Sequence, residues 1–250
     1  MLKIENLRKS FGGVVATNDV SIDFPRDSLC AVIGPNGAGK TTFFNLISGA
    51  LQPDSGRILL DGQDIVGKSS AEIVHMGIGR AFQVAKLFKS LTVEQSLRGA
   101  LLSPLGKSAS LGGRFPLTDT RDRAYEVMDQ LGLTPKANTI SGVLSHGDQK
   151  LLDMALALVL SPKVLLLDEP VAGMGPEERE QMMETVHGLW KKGGLTIVLI
   201  EHDMEIVFKV SQNIHVLSYG KVLAEGTPDQ IRKNPDVIEA YLGSAKEDAA

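Results

Sequence analysis

The stretch that decides the fold is Leu29-Cys30-Ala31-Val32-Ile33 followed by Gly34-Pro35-Asn36-Gly37-Ala38-Gly39-Lys40-Thr41. Its second part fits G-x-x-x-x-G-K-[ST], and its first part is a continuous apolar run, as expected for a strand covered on both faces. The glycines let successive backbone N–H groups point at phosphate oxygens, and a helix predicted over 41–48 adds its positive end. Lys40 can reach the β- and γ-phosphates, and the hydroxyl of Thr41 can ligate Mg²⁺. The stretch therefore predicts a P-loop for MgATP, and we include Thr42 in the predicted nucleotide-binding set.

A second apolar run ends in two acidic residues: Val164-Leu165-Leu166-Leu167-Asp168-Glu169. A carboxylate at the end of a buried strand can orient the ligand shell of Mg²⁺, so we assign Asp168 to the metal. Glu169 follows where the chain leaves the sheet, and a carboxylate there can polarise a water for attack on the γ-phosphate. An acidic pair can also simply begin a helix, but downstream of a P-loop it favours ATP hydrolysis over transfer to an acceptor.

The rest of the chain alternates short strands with helical patterns. A helix is predicted from Pro176, with acidic residues in its first turn, to the lysine pair before Gly193. Residues 84–160 read as a mainly helical insertion, interrupted by a Ser-, Gly- and Pro-rich loop at 103–116 that we expect to be mobile. The strand–helix–strand order predicts an α/β fold with right-handed crossovers. Further strands are predicted at 2–7, 20–24, 56–60, 79–82 and 195–201, and a polar tail at 244–250.

The composition narrows the classes of function. The chain has 250 residues, a net charge of −4 and 43% hydrophobic residues, which suits a soluble globular protein. Its weak acidity argues against a nucleic-acid partner. Cys30 is the only cysteine, so an intramolecular disulfide or a cysteine metal cluster is excluded. The first residues do not resemble a signal peptide, and no window reaches the ~18 apolar residues of a membrane span. A role at a membrane would therefore require a partner.

A third motif, Leu144-Ser145-His146-Gly147-Asp148-Gln149, names a family. Locally it predicts a capping box in which Ser145 caps a helix and Asp148 reaches back. In its position before the Asp168-Glu169 strand, however, it resembles the signature motif of ABC ATPases, usually Leu-Ser-Gly-Gly-Gln. The other family motifs match in order, and the resemblance covers about residues 2–242. Gln83 resembles the Q-loop glutamine near the metal, His202 the catalytic switch histidine, and Phe11 the aromatic residue that stacks on adenine.

This resemblance implies an ABC-type P-loop core with an antiparallel β subdomain and an inserted helical subdomain, in one domain at 1–243. It implies a head-to-tail dimer, of identical chains or with a related cassette, in which Ser145 and Gly147 bind the γ-phosphate held by the opposite subunit. It also implies polytopic permease subunits, for which residues 84–91, including Leu87 and Phe88, form a socket. A substrate-binding protein and a place on the cytoplasmic face of the inner membrane complete the expected system.

Two positions depart from the commonest family pattern. His146 and Asp148 replace a glycine and the terminal glutamine of the signature, and Gly175 stands where the loop after Glu169 often carries aspartate. The first departure keeps Ser145 and Gly147, while the second removes any dimer contact that depends on that aspartate.

A finer resemblance concerns the transported compound. Gly79-Arg80-Ala81-Phe82-Gln83 and Glu169-Pro170-Val171-Ala172-Gly173-Met174 are similar to cassettes of branched-chain amino-acid importers. Importers of urea and short amides share much of this pattern. A soluble ABC ATPase, such as an iron–sulfur assembly factor, is a further alternative, and a P-loop kinase would not need the signature.

Overall fold

The computed structural model describes residues 1–85, 87–102 and 117–247. The strands are β1 (Leu2–Phe11), β2 (Val14–Phe24), β3 (Leu29–Ile33), β4 (Ser55–Leu60), β5 (Gln63–Asp64), β6 (Ile78–Ala81), β7 (Val164–Asp168), β8 (Thr196–Ile200), β9 (Asn213–Ser218) and β10 (Lys221–Gly226). The helices are α1 (Lys40–Ile47), α2 (Ser70–Met76), α3 (Val93–Leu102), α4 (Leu117–Gln130), α5 (His146–Leu158), α6 (Pro176–Lys191), α7 (Met204–Val210), α8 (Pro228–Arg232) and α9 (Pro235–Glu247).

The strands form two sheets. A six-stranded sheet has the order β10-β9-β3-β8-β7-β6, in which the pairs from β9 to β6 are parallel and β10 pairs antiparallel with β9. A four-stranded antiparallel sheet has the order β2-β1-β4-β5. Because β3 and β7 are interior strands of the parallel part, the loops after them open at the same carboxyl-terminal edge, where ligands bind in such sheets.

The central strands β3, β7 and β8 are buried on both faces, and their side chains alternate between two cores. One core joins Leu165, Leu167 and Leu199 to the helices α3 to α6. The other joins Val32 and Leu166 to α1 and to the inner face of the antiparallel sheet. The continuous apolar runs in the sequence are therefore the interior strands of a covered sheet.

Between β6 and β7 the described residues fold into α3, α4, α5 and two 3₁₀ turns at Thr134–Lys136 and Ser141–Val143. The predicted fold class, an α/β P-loop core with an antiparallel β sheet and an inserted helical region, is confirmed. The predicted loop at 103–116 lies outside the described residues. No helix of the part that the structure describes is long and apolar enough to span a membrane.

Several predicted boundaries need correction. Helix α1 begins at Lys40, one residue earlier than expected, and β8 is shorter than the predicted strand at 195–201. The predicted tail at 244–250 overlaps α9, which continues to Glu247. A polar composition was compatible with helix there because the local backbone hydrogen bonds of a helix do not require apolar side chains.

Candidate nucleotide site

The loop between β3 and α1 has a backbone that glycine alone allows. Gly34 has φ 154° and Gly39 has φ 99°. A Cβ atom at Gly34 would lie 2.1 Å from the carbonyl oxygen of Leu217, and one at Gly39 would lie 2.1 Å from that of Ala16. The loop is therefore wedged between β9 and β2, which fixes its concave form at the amino-terminal end of α1.

Lys40 is the first residue of α1, and its side chain folds back over the loop. It is buried, and its Nζ atom donates to the carbonyl oxygens of Gly34 at 2.7 Å and Pro35 at 2.9 Å. Burial lowers the pKa of Lys40, while the charges of Glu169 and Asp168 oppose that shift. Since both bonds are to neutral carbonyl groups, an anion at the loop offers the ammonium group a stronger partner.

The two acidic residues after β7 have different surroundings. Asp168 is buried, and its Oδ2 atom accepts a hydrogen bond from Arg80 Nη2 at 2.7 Å. Glu169 has φ 50°, a left-handed conformation that is uncommon for a residue with a side chain. With this backbone turn at Glu169, the carboxylates of Asp168 and Glu169 bond different partners.

Both carboxylate oxygens of Glu169 are engaged by residues that the sequence predicted for the same site. His202 Nε2 lies 2.7 Å from Oε1, and Gln83 Nε2 donates to Oε2 at 2.6 Å. Because a carboxylate oxygen accepts hydrogen bonds, the contact with Oε1 is a hydrogen bond when Nε2 of His202 carries a proton. Three residues far apart in sequence, at the ends of β6, β7 and β8, are thus brought together.

Sequence reasoning missed the residues that hold the Glu169 turn. Lys150 on α5 is buried, and its Nζ donates to the main-chain oxygen of Glu169 at 2.6 Å. Burial lowers the pKa of Lys150, whereas the negative charges of nearby acids, Glu201 above all, act to raise it. Burial also raises the pKa of Glu201, whose carboxylate accepts the N–H groups of Val171 and His202. Glu201 directly precedes His202, which was the one signal that could have marked it.

The signature segment forms the start of α5, and the predicted N-cap at Ser145 is confirmed. Ser145 is the N-cap and its Oγ accepts the N–H of Asp148. The Oδ2 atom of Asp148 accepts the Ser145 hydroxyl at 2.6 Å and Lys136 Nζ at 2.5 Å.

The remaining predicted residues lie at the edges of this region. Phe11 ends β1 with 46% of its surface exposed, so its ring is accessible for stacking. Gly147 lies in the first turn of α5, and no hydrogen bond or ion pair among the described residues joins it or Ser145 to the P-loop. Gly175 is the N-cap of α6, and its main-chain N–H donates to the carboxylate of Glu178.

Sequence reasoning did not identify Tyr241, which lies on α9 near the P-loop. Burial raises the pKa of Tyr241 to about 12, while a hydrogen bond with the Gly34 backbone lowers it.

Comparison with known proteins decides the family. A family model described as "ABC transporter" matches residues 17–172, and one described as "Branched-chain amino acid ATP-binding cassette transporter" matches residues 221–247. The chain belongs to the ABC transporter family. Among ABC relatives, the high-affinity branched-chain amino acid transport ATP-binding protein LivG of Escherichia coli is 41% identical over 253 residues, covering 98% of each chain.

Solved ABC cassettes have the same fold. The ADP conformation of one ATP-binding cassette matches with a TM-score of 0.85 and 33% identity over 97% of this chain and 98% of that one. A dimeric bacterial ABC transporter cassette matches with a TM-score of 0.78 and 25% identity over 91% and 99%. The chain is thus a nucleotide-binding ATPase subunit of the ABC type, and the resemblance inferred from its motifs is confirmed.

Proposed function

We propose that the chain hydrolyses MgATP to drive an importer of branched-chain amino acids, from the cytoplasmic face of the inner membrane. The observation that carries the proposal is the engagement of both Glu169 oxygens by His202 and Gln83 beside a formed P-loop. The substrate class is supported by the match at residues 221–247 and by the likeness to LivG. We take residues 1–243 as one ATPase domain, with a helical subdomain at about 84–160.

The nucleotide would bind along the P-loop, with its adenine against the exposed ring of Phe11. The loop N–H groups of residues 34–39 and the start of α1, with Thr41 and Thr42, would hold the phosphates. Lys40 would leave its carbonyl partners for the β- and γ-phosphates. Glu169 would accept a proton from the attacking water, and His202 would hold the carboxylate and the γ-phosphate in line.

The residues present fit Mg²⁺, which prefers oxygen ligands and takes one or two protein groups together with phosphates and waters. Asp168 and Thr41 supply a carboxylate and a hydroxyl, and Gln83 an amide oxygen, while the described residues contain no cluster of three or more His, Cys, Asp or Glu side chains able to hold a metal alone. When bound, the ion would neutralise charge on the β- and γ-phosphates.

A head-to-tail dimer would complete the site. Ser145 and Gly147 make no hydrogen bond or ion pair to the P-loop within the described residues of their own chain, and Ser145 is exposed, so this N-terminal end of α5 would be available to a phosphate held by another subunit. The partner would be a second copy of this chain or a related cassette. Loss of the γ-phosphate on hydrolysis would remove the bridge between the two surfaces.

Residues 84–91 would receive a cytoplasmic helix of a permease. Val84 and Phe88 are 76% and 67% exposed, whereas Leu87 packs against the core. The exposed side chain of Phe88 supports the proposed socket, and Leu87 would anchor the segment to the core. Since this segment follows Gln83 directly, a movement at Glu169 would reach the permease through a few residues. A substrate-binding protein would deliver the amino acid from outside.

Uptake in a strain that lacks this chain tests the proposal. ATP-driven uptake of labelled leucine, isoleucine or valine at low external concentration should be lost, and be restored by the wild-type chain but not by Glu169→Gln. If uptake of urea or a short amide falls instead, the substrate class is wrong. If no uptake changes while iron–sulfur enzyme activities collapse, the role in transport is wrong. Co-purification with a polytopic membrane protein is the independent check.

A further inference from the structure

A buried arginine lies against the carboxylate that we assign to the metal. Arg80 belongs to β6, and its Nη2 atom donates to Asp168 Oδ2 at 2.7 Å. The two side chains are only 7% and 6% exposed. A buried pair of this kind costs desolvation energy on both sides, which good geometry and further hydrogen bonds offset. Both Nη atoms of Arg80 have such partners, whereas its Nε is buried without a hydrogen-bond partner among the described residues.

The other edge of the Arg80 guanidinium is bonded to the helix that follows the P-loop. Nη1 donates to Asn45 Oδ1 at 2.7 Å and to Ser48 Oγ at 3.0 Å. Asn45 lies on α1 and Ser48 caps its carboxyl-terminal end. The planar group thus joins the α1 helix to the end of β7, using one nitrogen for each.

Two aromatic rings complete the enclosure of this guanidinium. Its central carbon lies 5.8 Å from the ring centroid of Phe44 and 5.0 Å from that of Phe82. Phe44 is on α1, and Phe82 immediately precedes Gln83. Arg80 is therefore fixed from three directions and cannot swing away from Asp168 without breaking several contacts.

We propose that Arg80 is a positioning residue for Mg²⁺, acting through Asp168. By occupying Oδ2, it fixes the plane of the carboxylate and leaves Oδ1 as the oxygen available to the metal or its water shell. The bonds to α1 set this oxygen relative to Thr41, which lies on the same helix. The inference rests on the proposed metal role of Asp168, and no role in proton transfer is assigned to Arg80.

The alternative relation between a cation and a metal ligand is competition, in which Arg80 would fill the place of Mg²⁺ and leave when the ion binds. The burial of Arg80 and its contacts to Asn45, Ser48 and both rings oppose this, because a group that must leave would not be held on its far side. The two relations predict opposite effects of removing the guanidinium. Binding of Mg²⁺ should become weaker if Arg80 positions Asp168, and tighter if Arg80 competes with the ion.

The test compares binding of ATP to the full chain by titration calorimetry, in Mg²⁺ and in EDTA. For Arg80→Met the affinity for MgATP should fall by roughly 10–100-fold, as for other groups that orient a metal ligand, while the affinity for ATP in EDTA stays unchanged. Arg80→Lys keeps the positive charge but lacks the planar guanidinium that bonds α1 through one nitrogen and Asp168 through the other. It should therefore also weaken MgATP binding, to a smaller extent. Arg26→Met is the matched control, because Arg26 also bonds an aspartate at 2.6 Å but is exposed.

Thermal unfolding of each variant shows whether it is folded. If Arg80→Met does not fold, the double variant Asn45→Ala with Ser48→Ala removes the α1 anchors, leaves the charge pair, and should weaken MgATP binding selectively. Unchanged or tighter MgATP binding in the folded Arg80 variants, or an equal loss in Mg²⁺ and EDTA, would overturn the inference. Asp168→Asn separates the two proposals: if it leaves MgATP affinity unchanged, the metal role of Asp168 fails too, and if it alone weakens binding, only the role of Arg80 fails.

Discussion

His202 Nε2 and Glu169 Oε1 lie 2.7 Å apart, although the two residues follow different strands of the sheet. Their contact is possible because β7 and β8 are parallel neighbours, with Asp168 in register with Ile200. Glu169 and His202 then leave the same edge of the sheet. With Gln83 on the second oxygen, protein side chains hold both oxygens of this carboxylate, which would lower the cost of ordering it for the proposed hydrolysis.

Glu169→Gln should keep nucleotide binding and lose hydrolysis. The amide cannot accept the proton of the attacking water, so turnover should fall by roughly 10²–10⁴-fold, the usual contribution of a general base. Phosphate release under saturating MgATP measures the loss, and calorimetry measures the retained binding. Glu177→Gln, an exposed acid on α6, is the control and should behave as wild type. Wild-type turnover in Glu169→Gln would show that another group is the base.

Lys40→Ala should weaken ATP binding. A charge-assisted contact to phosphate oxygens is lost, which corresponds to roughly 1.5–3 kcal/mol of binding free energy. Titration calorimetry with MgATP gives the value directly. Lys163→Ala removes an exposed lysine paired with Asp61 and should leave the affinity unchanged. Equal affinities for Lys40→Ala and wild type would remove Lys40 from the phosphate site.

Asp148 should make a pH-dependent contribution to stability. Burial alone would raise its pKa, but hydrogen bonds from Lys136 and Ser145 outweigh burial and hold the pKa below its usual range. Because the folded state lowers the pKa, the stabilisation is complete above the ordinary value of about 3.9 and is lost as the pH falls through the lower folded value.

The variant Asp148→Asn tests this sign by urea unfolding at several pH values. At neutral pH it should be less stable than wild type by about 0.2–1 kcal/mol, because Lys136 is partly exposed and the pair is screened. The difference should vanish in strong acid. Lys136→Met should show the same pH dependence, and a difference that grows as the pH falls would contradict the assignment.

Dimerisation should require ATP and Ser145. Glu169→Gln with MgATP should elute as a dimer in gel filtration, and adding Ser145→Arg should return it to the monomer, because a bulky cation replaces the small N-cap at the proposed interface. Ser69→Arg also removes a serine N-cap, that of α2, and is the matched control that should still dimerise. A monomeric elution of Glu169→Gln at all protein concentrations would favour a heterodimer with a related cassette.

Two glycine substitutions should have opposite effects on stability. Gly39→Ala forces a side chain into φ 99° and against the Ala16 carbonyl, so it should destabilise by more than the ~1–2 kcal/mol of left-handed strain alone. Gly188→Ala, in an exposed part of α6 with open space around it, should stabilise by about 0.5–1 kcal/mol. Thermal unfolding measures both, and a neutral Gly39→Ala would contradict the wedged loop.

Much of the fold follows from local patterns in the sequence. The apolar run 29–33 predicted the buried strand β3, because such a run can be satisfied only inside a covered sheet, and the loop after it predicted a phosphate site. The helix at Pro176–Lys191 was predicted from its end residues, which satisfy or complement the free groups at helix termini. The predicted ends of β8 and α9 were less exact, because the residues there are compatible both with the regular element and with a loop.

The sequence by itself determined the family and predicted the P-loop and the acidic pair, since each motif is a short segment whose residue types and order carry the chemistry. The tertiary structure alone decided that Arg80 holds Asp168, that Lys150 holds the Glu169 turn, and that Asp148 turns toward Lys136. These contacts join residues 88, 19 and 12 positions apart. No local pattern encodes them, because the partners meet only after strands and helices have packed, and around Arg80 and Lys150 that packing also excludes water from the charged group.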